Sequence, residues 1–500
     1  MEKKKTLFDY LYQNLNYQIT TGYLPYGAAL PSINQLSQMY HVGIRTVKDV
    51  LAALKDEGLI RSEERKPTIV IYRSAAADPL PPVQDVLEQK DSILEVYETI
   101  AVLMPCLFAF SAPACRKEIL NPYFHSLERC RPDDSAGRWQ ICSALLHDML
   151  DTTGNLLFCD IFTILELHAR VPFFLNHQEV LSVMTRYTGS SQTQCIMNSL
   201  KGQSAEEILA QFTSMYRLVQ KAMGVYLDNL SQTENIKTDT KVNCFFWNAD
   251  TGRNHYYIQI TRDLIDKIGI GVYKDLDFLP PESELALQYG VSVSTVRKAI
   301  ATLNELGFAE TFNVKGTQVT LFNDQATYLC MKNKAYKNDT LLYLSALQFM
   351  AIAVQPAVRL AFPDISKQKW EVLLEEIQKP DMIPLDLIMQ CIAEHLPLQP
   401  FRLILQETNR LLHWGYYYSF FMEGNHSSNT LNQMCVQALL SLLHTEDPRT
   451  FSTQLSLCYC HVLELVRHFM ADCGLPEARS LVTPDPDFCY DFTQKTYKFL

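Results

Sequence analysis

The chain has 500 residues, which is more than one hydrophobic core usually contains, so several domains are expected. Hydrophobic residues make up 47% of it and charged residues 20%, a composition that excludes a mainly disordered chain. Its formal net charge of −11 excludes a nucleic-acid-binding surface over the whole protein. One basic domain is still compatible with that charge, because the field that attracts phosphate is local.

The amino-terminal sequence and the apolar runs indicate the cellular compartment in which we expect the protein. The sequence MEKKKTLFDYLYQNL lacks the apolar stretch and the small-residue cleavage site of a secretory signal peptide, so we expect a cytoplasmic protein. Residues 341–358 are the one run long and uncharged enough to consider as a membrane span. Polar residues and Pro356 within it favour a buried helix, and no membrane contact is expected. The 14 cysteines show no paired zinc-site spacing, which favours reduced thiols inside the core.

The first 73 residues have the pattern of a winged helix-turn-helix. Apolar residues recur at helical spacing in three successive segments, which are Leu11, Leu15 and Ile19, then Ile33, Leu36 and Tyr40, then Val47, Val50, Leu51 and Leu54. A wing follows, with Arg65, Lys66 and Pro67 at its tip. A helix, a tight turn and a second helix form a unit that fits the major groove of DNA. The exposed donors of the third segment are Arg45, Thr46 and Lys48.

This pattern recurs in the middle of the chain. The segment LPSINQLSQMYHVGIRTVKDVLAALKDEGLI reappears as LPPESELALQYGVSVSTVRKAIATLNELGFA, and equivalent residues such as Thr46 and Thr295 are separated by 249 positions (295 − 46). Beyond it, AVLMPCLFAF around Pro105 has a counterpart in IAVQPAVRLAF around Pro356. We interpret the chain as an internal duplication, mainly α with small β wings. Its expected domains are winged helices at residues 1–73 and 255–322, alternating with all-helical bundle domains at residues 85–230 and 339–500.

The second copy has the clearer helix boundaries. Its first helix is predicted from the apolar spacing between Tyr257 and Ile268, and glycines follow it. The second helix is predicted to begin after Pro280 and Pro281, with acidic residues in its first turn, and to end at Gly290.

The third helix of the second copy carries its candidate DNA contacts. Ser292 is placed to cap this helix, whose apolar side is predicted to be Thr295, Val296, Ala299, Ile300 and Leu303. The opposite face carries Ser294, Arg297 and Lys298, which are donors suited to phosphates and base edges. Two β-prone runs joined by Asn313-Val314-Lys315-Gly316 predict a wing with a basic tip.

Charge distinguishes the two copies. Residues 1–73 contain ten basic and seven acidic side chains (10 − 7 = +3), whereas residues 255–322 contain six and eight (6 − 8 = −2). Because phosphate neutralisation supplies much of the affinity for DNA, we expect the first copy to bind more strongly. The other interpretation is that one or both winged helices serve as protein-protein or dimerisation modules.

Both copies resemble the winged helix of the GntR family of bacterial transcriptional regulators, which has the pattern LPSER-ELA, VSR-x-TVREAL, EGLI and a GxGTFV wing. The second copy matches it closely in LPPESELA, VSVSTVRKAI and VKGTQV, and the first more loosely in LPSINQLS, VGIRTVKDVL and RKPTIV. Two of the family's usual DNA-contacting arginines are replaced, by Asn34 and Ile44 in the first copy and by Ser283 and Val293 in the second. The third is retained as Arg297 and becomes Lys48 in the first copy, where Arg45 lies beside the missing cation.

The resemblance and the exposed donors together imply a set of DNA-contacting residues. In the first copy they are Ser32, Arg45, Thr46, Lys48, Arg65 and Lys66, and in the second Ser292, Ser294, Thr295, Arg297, Lys298, Lys315 and Gly316. The implied partner is double-stranded DNA. Family members usually bind palindromic sites as dimers, but a duplicated chain already has two winged helices. A monomer on an asymmetric site and a homodimer therefore both stay open.

The helical remainder resembles the regulatory domain of the family's fatty-acid-regulator branch, in QPAVRLAF (355–362) and HDMLDTTGNLL (147–157). That resemblance implies a small-molecule effector and makes His147 and His395 candidate effector or metal residues. The branch often has an aspartate four residues before the histidine, but here Ser143 and Cys391 occupy those positions. Because a hard oxygen ligand is missing in both halves, we expect no metal and no other cofactor, and histidines that hydrogen-bond in a helical core.

Three function classes follow from these patterns. The leading hypothesis is an effector-controlled DNA-binding regulator, in which the helical domains move the winged helices between binding and non-binding arrangements. A fused enzyme is not expected, because the helical remainders contain neither a glycine-rich phosphate loop nor a nucleophile elbow. The missing arginines leave a third class open, a regulator that acts through protein contacts without binding DNA.

Overall fold

The computed structural model describes residues 11–72, 83–131, 135–169, 196, 200, 204–234, 245–249, 256–320, 334–412 and 426–486, with short gaps inside the first of these ranges and at positions 248, 270 and 380–381. This part of the chain is mainly helical and contains two small two-stranded antiparallel sheets, one in each winged helix. The predicted fold class and the repeat of the winged helix-turn-helix are confirmed.

The first winged helix has its own small core. The described positions between residues 11 and 19 are helical, and α1 (Ile33–Met39) and α2 (Ile44–Asp56) follow. Strands β1 (Ile60–Arg61) and β2 (Ile69–Val70) pair with Ile60 opposite Val70. The core is formed by Leu11, Leu15, Ile19, Leu30, Leu36, Val47, Val50, Leu51, Leu54, Leu59, Ile60 and Val70. Tyr40, predicted to lie on a buried helix face, is outside the described residues.

The first helical region contains six described helices. They are α3 (Val83–Glu88), α4 (Lys90–Ser111), α5 (Lys117–Arg129), α6 (Ser135–Asp151), α7 (Phe158–His168) and α8 (Ala205–Glu234). The apolar helix α4 lies at the centre and packs against α6, α7 and α8. Phe108 on α4 contacts Phe162 on α7 edge-on at 5.3 Å between ring centroids, so aromatic packing fills this interior.

The second winged helix repeats the plan of the first. Its helices are α9 (Tyr256–Gly269), α10 (Glu282–Tyr289) and α11 (Val293–Glu305), and its wing is formed by β3 (Ala309–Phe312) and β4 (Gly316–Val319). Ala309 pairs with Val319 and Phe312 with Gly316. A bridge from Phe278 to Gln318 adds the chain segment before α10 to the wing.

The second helical region is built around one long buried helix. Helix α12 (Lys334–Ala361) is followed by α13 (Lys367–Ile377), α14 (Pro384–Glu394), α15 (Gln399–Leu412), α16 (His426–Thr445) and α17 (Pro448–Asp472). The most extensive packing in this region is between α12 and α17, where Ser456 donates a hydrogen bond to the Ala351 carbonyl at 2.6 Å. Residues 481–486 lie along these two helices, and Gln348 donates to the Val482 carbonyl at 2.6 Å.

Contacts across the duplication join most of the described chain into one body. Helix α4 of the first half packs against α12 and α15 of the second. At this junction the Asn155 amide donates to the Ser345 carbonyl at 2.9 Å and to Gln348 Oε1 at 2.8 Å. Within the described residues, both helical regions and the second winged helix share one continuous hydrophobic core, and the core of the first winged helix is separate from it.

In the part of the chain that the structure describes, two helical stretches are long and apolar enough to cross a membrane: Lys90–Ala114, which is α4 with the short 3-10 turn after it, and Lys337–Asp364, which is most of α12 with the turn after it. The expectation that only one run would qualify was therefore wrong. In their most apolar windows, 72% and 94% of the residues are buried inside the protein, as in core helices. The boundaries proposed for the four domains stay predictions.

Candidate nucleic-acid interface

The turn of the second helix-turn-helix is built by local sequence. Glu282 and Glu284 lie in the first turn of α10, where negative charge is favoured by the helix dipole. Gly290 ends α10 with φ of 61°, in the left-handed region that glycine adopts without steric cost. The Ser292 hydroxyl then caps α11 by accepting a hydrogen bond from the Thr295 backbone N–H at 3.3 Å, as predicted.

Helix α11 has one buried and one outward side. Val296, Ala299, Ile300 and Leu303 are buried, whereas Ser294, Arg297 and Lys298 are exposed. Thr295, predicted on the apolar side, is half-buried, and its hydroxyl lies 2.8 Å from the Ser292 hydroxyl. We call Ser294, Arg297 and Lys298 the outward face of α11.

Both cations of this face contact the protein itself. The Arg297 guanidinium donates to both oxygens of Glu282 on α10, with 2.8 Å between Nη2 and Oε2, and these hydrogen bonds raise the pKa of Arg297. Lys298 Nζ lies 4.0 Å from the ring centroid of Tyr257 on α9, which is a cation-π contact. The sequence patterns did not identify Glu282 or Tyr257 as partners, because both lie on other helices.

In the first copy, the predicted contact Ser32 serves as a helix cap. Its backbone N–H and hydroxyl donate to Gln35 Oε1 at 2.9 and 2.8 Å, and its hydroxyl accepts from the Gln35 backbone N–H at 3.3 Å. This reciprocal capping box fixes the start of α1. The spacing of Ser32 and Gln35 is the signal that could have predicted it.

The outward face of α2 consists of Arg45, Lys48 and Asp49, which are all exposed. Thr46 beside them is half-buried, like Thr295 in the second copy. Among the described residues, Arg45 and Lys48 have no ion-pair or hydrogen-bond partner. The position equivalent to Glu282 is Ile33 (282 − 249), so Lys48 has no counterpart of the carboxylate that holds Arg297.

The two wings differ at their tips. Lys66 pairs with Glu63 of its own wing, with 2.6 Å between Nζ and Oε2, and Arg65 lies outside the described residues. Lys315 is exposed at the second tip between Val314, with φ of 72°, and Gly316, with φ of 104°. A Cβ added at Gly316 would lie 3.7 Å from Phe278, so the backbone conformation and not lack of space favours glycine there.

The two candidate histidines of the helical regions make hydrogen bonds inside the protein. His147 Nε2 lies 3.2 Å from Glu166 Oε2, and the Ser143 hydroxyl donates to the same carboxylate at 3.1 Å. His395 Nδ1 lies 2.8 Å from the Cys391 carbonyl oxygen. Within the part of the chain that the structure describes, no group of three or more His, Cys, Asp or Glu side chains could hold a metal ion. Glu166 was not predicted, because nothing in the spacing links it to His147.

The winged helices match a known family. The model of the bacterial regulatory proteins of the gntR family matches residues 7–70 and, separately, residues 256–319. The chain carries two GntR-family helix-turn-helix domains. These matches leave out the helical regions, whose resemblance to the fatty-acid-regulator branch stays a prediction.

Two curated relatives from Bacillus subtilis (strain 168) support the GntR assignment of a winged helix. The uncharacterized HTH-type transcriptional regulator YurK is 46% identical over 63 residues, which cover 13% of this chain and 26% of YurK. The HTH-type transcriptional regulator TreR is 40% identical over 63 residues, with the same coverage of 13% and 26%. The chain therefore spans about a quarter of the length of these relatives.

Solved structures are less similar. Streptococcus agalactiae GntR is 16% identical and covers 42% of this chain and 99% of its own, with a TM-score of 0.19. A second structure is that of Lar, which "controls the expression of the Listeria monocytogenes agr system". It is also 16% identical and covers 46% of this chain and 99% of its own, with a TM-score of 0.17. TM-scores this low do not show how the winged helices and the helical regions of this chain are arranged.

Proposed function

We propose that this chain is a sequence-specific DNA-binding transcriptional regulator whose GntR-type winged helices contact the major groove of double-stranded DNA. The observation that carries the proposal is the exposure of the outward faces of α2 and α11, with their donors directed away from each domain core. A helix that follows a tight turn and exposes arginine, lysine and serine is suited to phosphates and base edges.

The alternative, a regulator that acts only through protein contacts, has less support. It was raised by the missing arginines, but Arg45, Lys48, Arg297 and Lys298 still give each outward face two cations. The first copy is the stronger candidate for DNA binding, because its domain is the more basic. Among the described residues, the two cations of its outward face, Arg45 and Lys48, are also not held by acidic neighbours.

Fluorescence anisotropy with duplex DNA from upstream of the chain's own coding sequence tests this function. We expect R45A/K48A to weaken binding at least tenfold and R297A/K298A to weaken it less. Each lost phosphate contact should also reduce the slope of log affinity against log salt by about 0.9. The matched control is R116A/K117A, which removes two exposed cations at the start of α5, far from either winged helix in sequence. Unchanged binding in both winged-helix variants would contradict the proposal.

We further propose that the helical regions bind a small-molecule effector and thereby control the winged helices. The support is the resemblance to the fatty-acid-regulator branch and the core that the second winged helix shares with both helical regions. Native mass spectrometry of the purified full-length chain should detect a bound small molecule, or a screen of carboxylic acids should shift its thermal unfolding. If neither were seen and DNA affinity did not respond to any of these compounds, the effector proposal would be wrong.

A further inference from the structure

We propose that the DNA site of this chain is non-palindromic, with two dissimilar half-sites contacted by the two winged helices of a single chain. The inference rests on the proposed function and goes further, because it specifies the symmetry of the DNA and the number of chains bound to it.

The two outward faces differ at every equivalent position. With the offset of 249, Arg45 corresponds to Ser294, Lys48 to Arg297, and Asp49 to Lys298. All six side chains are exposed, and all lie on helices of 13 residues that begin and end at equivalent positions. The two helices therefore present different chemistry from the same backbone.

These differences change which bases are favoured. An arginine donates two hydrogen bonds to guanine, whereas a serine hydroxyl contacts bases without strong preference. An aspartate accepts from cytosine N4 and is repelled by phosphates, whereas a lysine donates. Since one good bidentate contact changes affinity roughly 5- to 150-fold, two such differences give the winged helices different preferred half-sites.

The carboxylate of Glu282 adds a second source of asymmetry. Arg297 can contact a base or a phosphate fully only by sharing or releasing Glu282, which accepts from its Nε and Nη2. Lys48 has Ile33 at the position of Glu282 and needs no such exchange. The second half-site should therefore contribute less affinity than the first.

The two winged helices also belong to one covalent chain, and the second is packed into its helical body. The second is joined to α12 by the buried pair of Arg262 and Asp339, and α12 is joined to the first half by Asn155. Each bound chain therefore brings one copy of each unequal outward face. A palindrome contacted by one chain would place one winged helix on a half-site that it does not prefer.

Selection from a pool of randomised duplexes with the full-length chain tests this directly, with the number of chains per selected duplex measured by mass photometry. We expect a non-palindromic consensus and one chain per duplex. A palindromic consensus occupied by two chains would overturn the inference while leaving the proposed function intact. Selection that enriches no sequence would overturn the proposed function, and this inference with it.

A graft of one outward face onto the other helix gives a second test. The variant S294R/R297K/K298D gives α11 the outward side chains of α2 and keeps the Ser292 cap. On a duplex that carries the first half-site twice, it should bind at least fivefold tighter than the unmodified chain, and on the selected site it should bind more weakly. The control S126R/R129K/K117D makes the same three replacements at exposed positions of α5 and should leave both affinities unchanged. If the graft did not alter the preference between the two duplexes and retained a native circular dichroism spectrum, the inference would be wrong.

Discussion

Replacing Asp339 with alanine should weaken the attachment of the second winged helix to the helical body. Asp339 lies near the start of α12 with 5% of its side chain exposed, and Arg262 on α9 has 13% exposed. Arg262 Nε donates to Asp339 Oδ2 at 2.8 Å, and Nη2 donates to Oδ1, so the pair is bidentate. The first copy has Gln13 at the position of Arg262 (262 − 249), so this ion pair is particular to the second half.

The expected cost follows from what remains after the carboxylate is removed. Breaking a buried ion pair by deleting one partner costs about 3–5 kcal/mol, because a desolvated charge is left without compensation. The partial exposure of Arg262 allows some rehydration, so we expect about 3 kcal/mol, near the lower limit. The double variant R262M/D339L removes both charges and fills similar volume, so it should be nearly neutral or stabilising.

Hydrogen exchange measured by mass spectrometry suits this test, because a chain of several domains does not unfold in one step and local opening must be followed. In D339A the amides of α9 should exchange about 150-fold faster, the ratio that about 3 kcal/mol implies. K367A breaks the exposed pair of Lys367 and Glu446 and should leave exchange in α13 and α9 almost unchanged. The reasoning would be refuted if α9 in D339A exchanged within twofold of the unmodified chain, or if R262M/D339L were as destabilised as D339A.

Three further predictions concern the helical regions. N155A should destabilise α7 by about 2–4 kcal/mol, measured as faster hydrogen exchange of its amides, because it removes the side-chain oxygen that accepts from the Leu157 and Phe158 backbone N–H groups and leaves acceptors on Ser345 and Gln348 without their donor. Burial raises the pKa of Cys159 to about 12, so iodoacetamide at pH 7 should alkylate it far more slowly in the native chain than in urea. A hydrogen bond from Thr450 lowers the pKa of Asp447, the cap of α17. The stabilisation by Asp447 is therefore present above the ordinary carboxyl pKa of 3.8 and is lost as pH falls through the lowered value. D447A should destabilise α17 by about 1 kcal/mol at pH 7 and progressively less below pH 3.8, measured by hydrogen exchange of the α17 amides.

Local patterns predicted the helix-turn-helix elements well. The apolar spacing from Tyr257 to Ile268 lies within α9, and Gly290 and Ser292 end α10 and cap α11 as expected. These features depend on residues within one or two helical turns of each other, so periodicity and capping chemistry are sufficient to predict them. The repeat offset of 249 added a second, independent instance of the same pattern.

The partners of the outward cations could not be predicted in this way. Arg297 is held by Glu282 across the turn, and Lys298 lies over Tyr257 on a different helix. Long side chains have many rotamers, and which acidic or aromatic group they contact depends on how the helices cross. The same holds for Glu166, which meets His147 from a neighbouring helix.

By itself the sequence determined that the chain holds two winged helices of GntR type with unequal outward residues, because spacing, caps and identity at equivalent positions are properties of short segments. The tertiary structure alone decided how those units are joined. Arg262 meets Asp339 across 77 positions, and Asn155 meets Ser345 across 190, so only the packing of complete helices brings them together. Contacts over such separations arise from burial of apolar surface throughout the core, which has no local signature in the sequence.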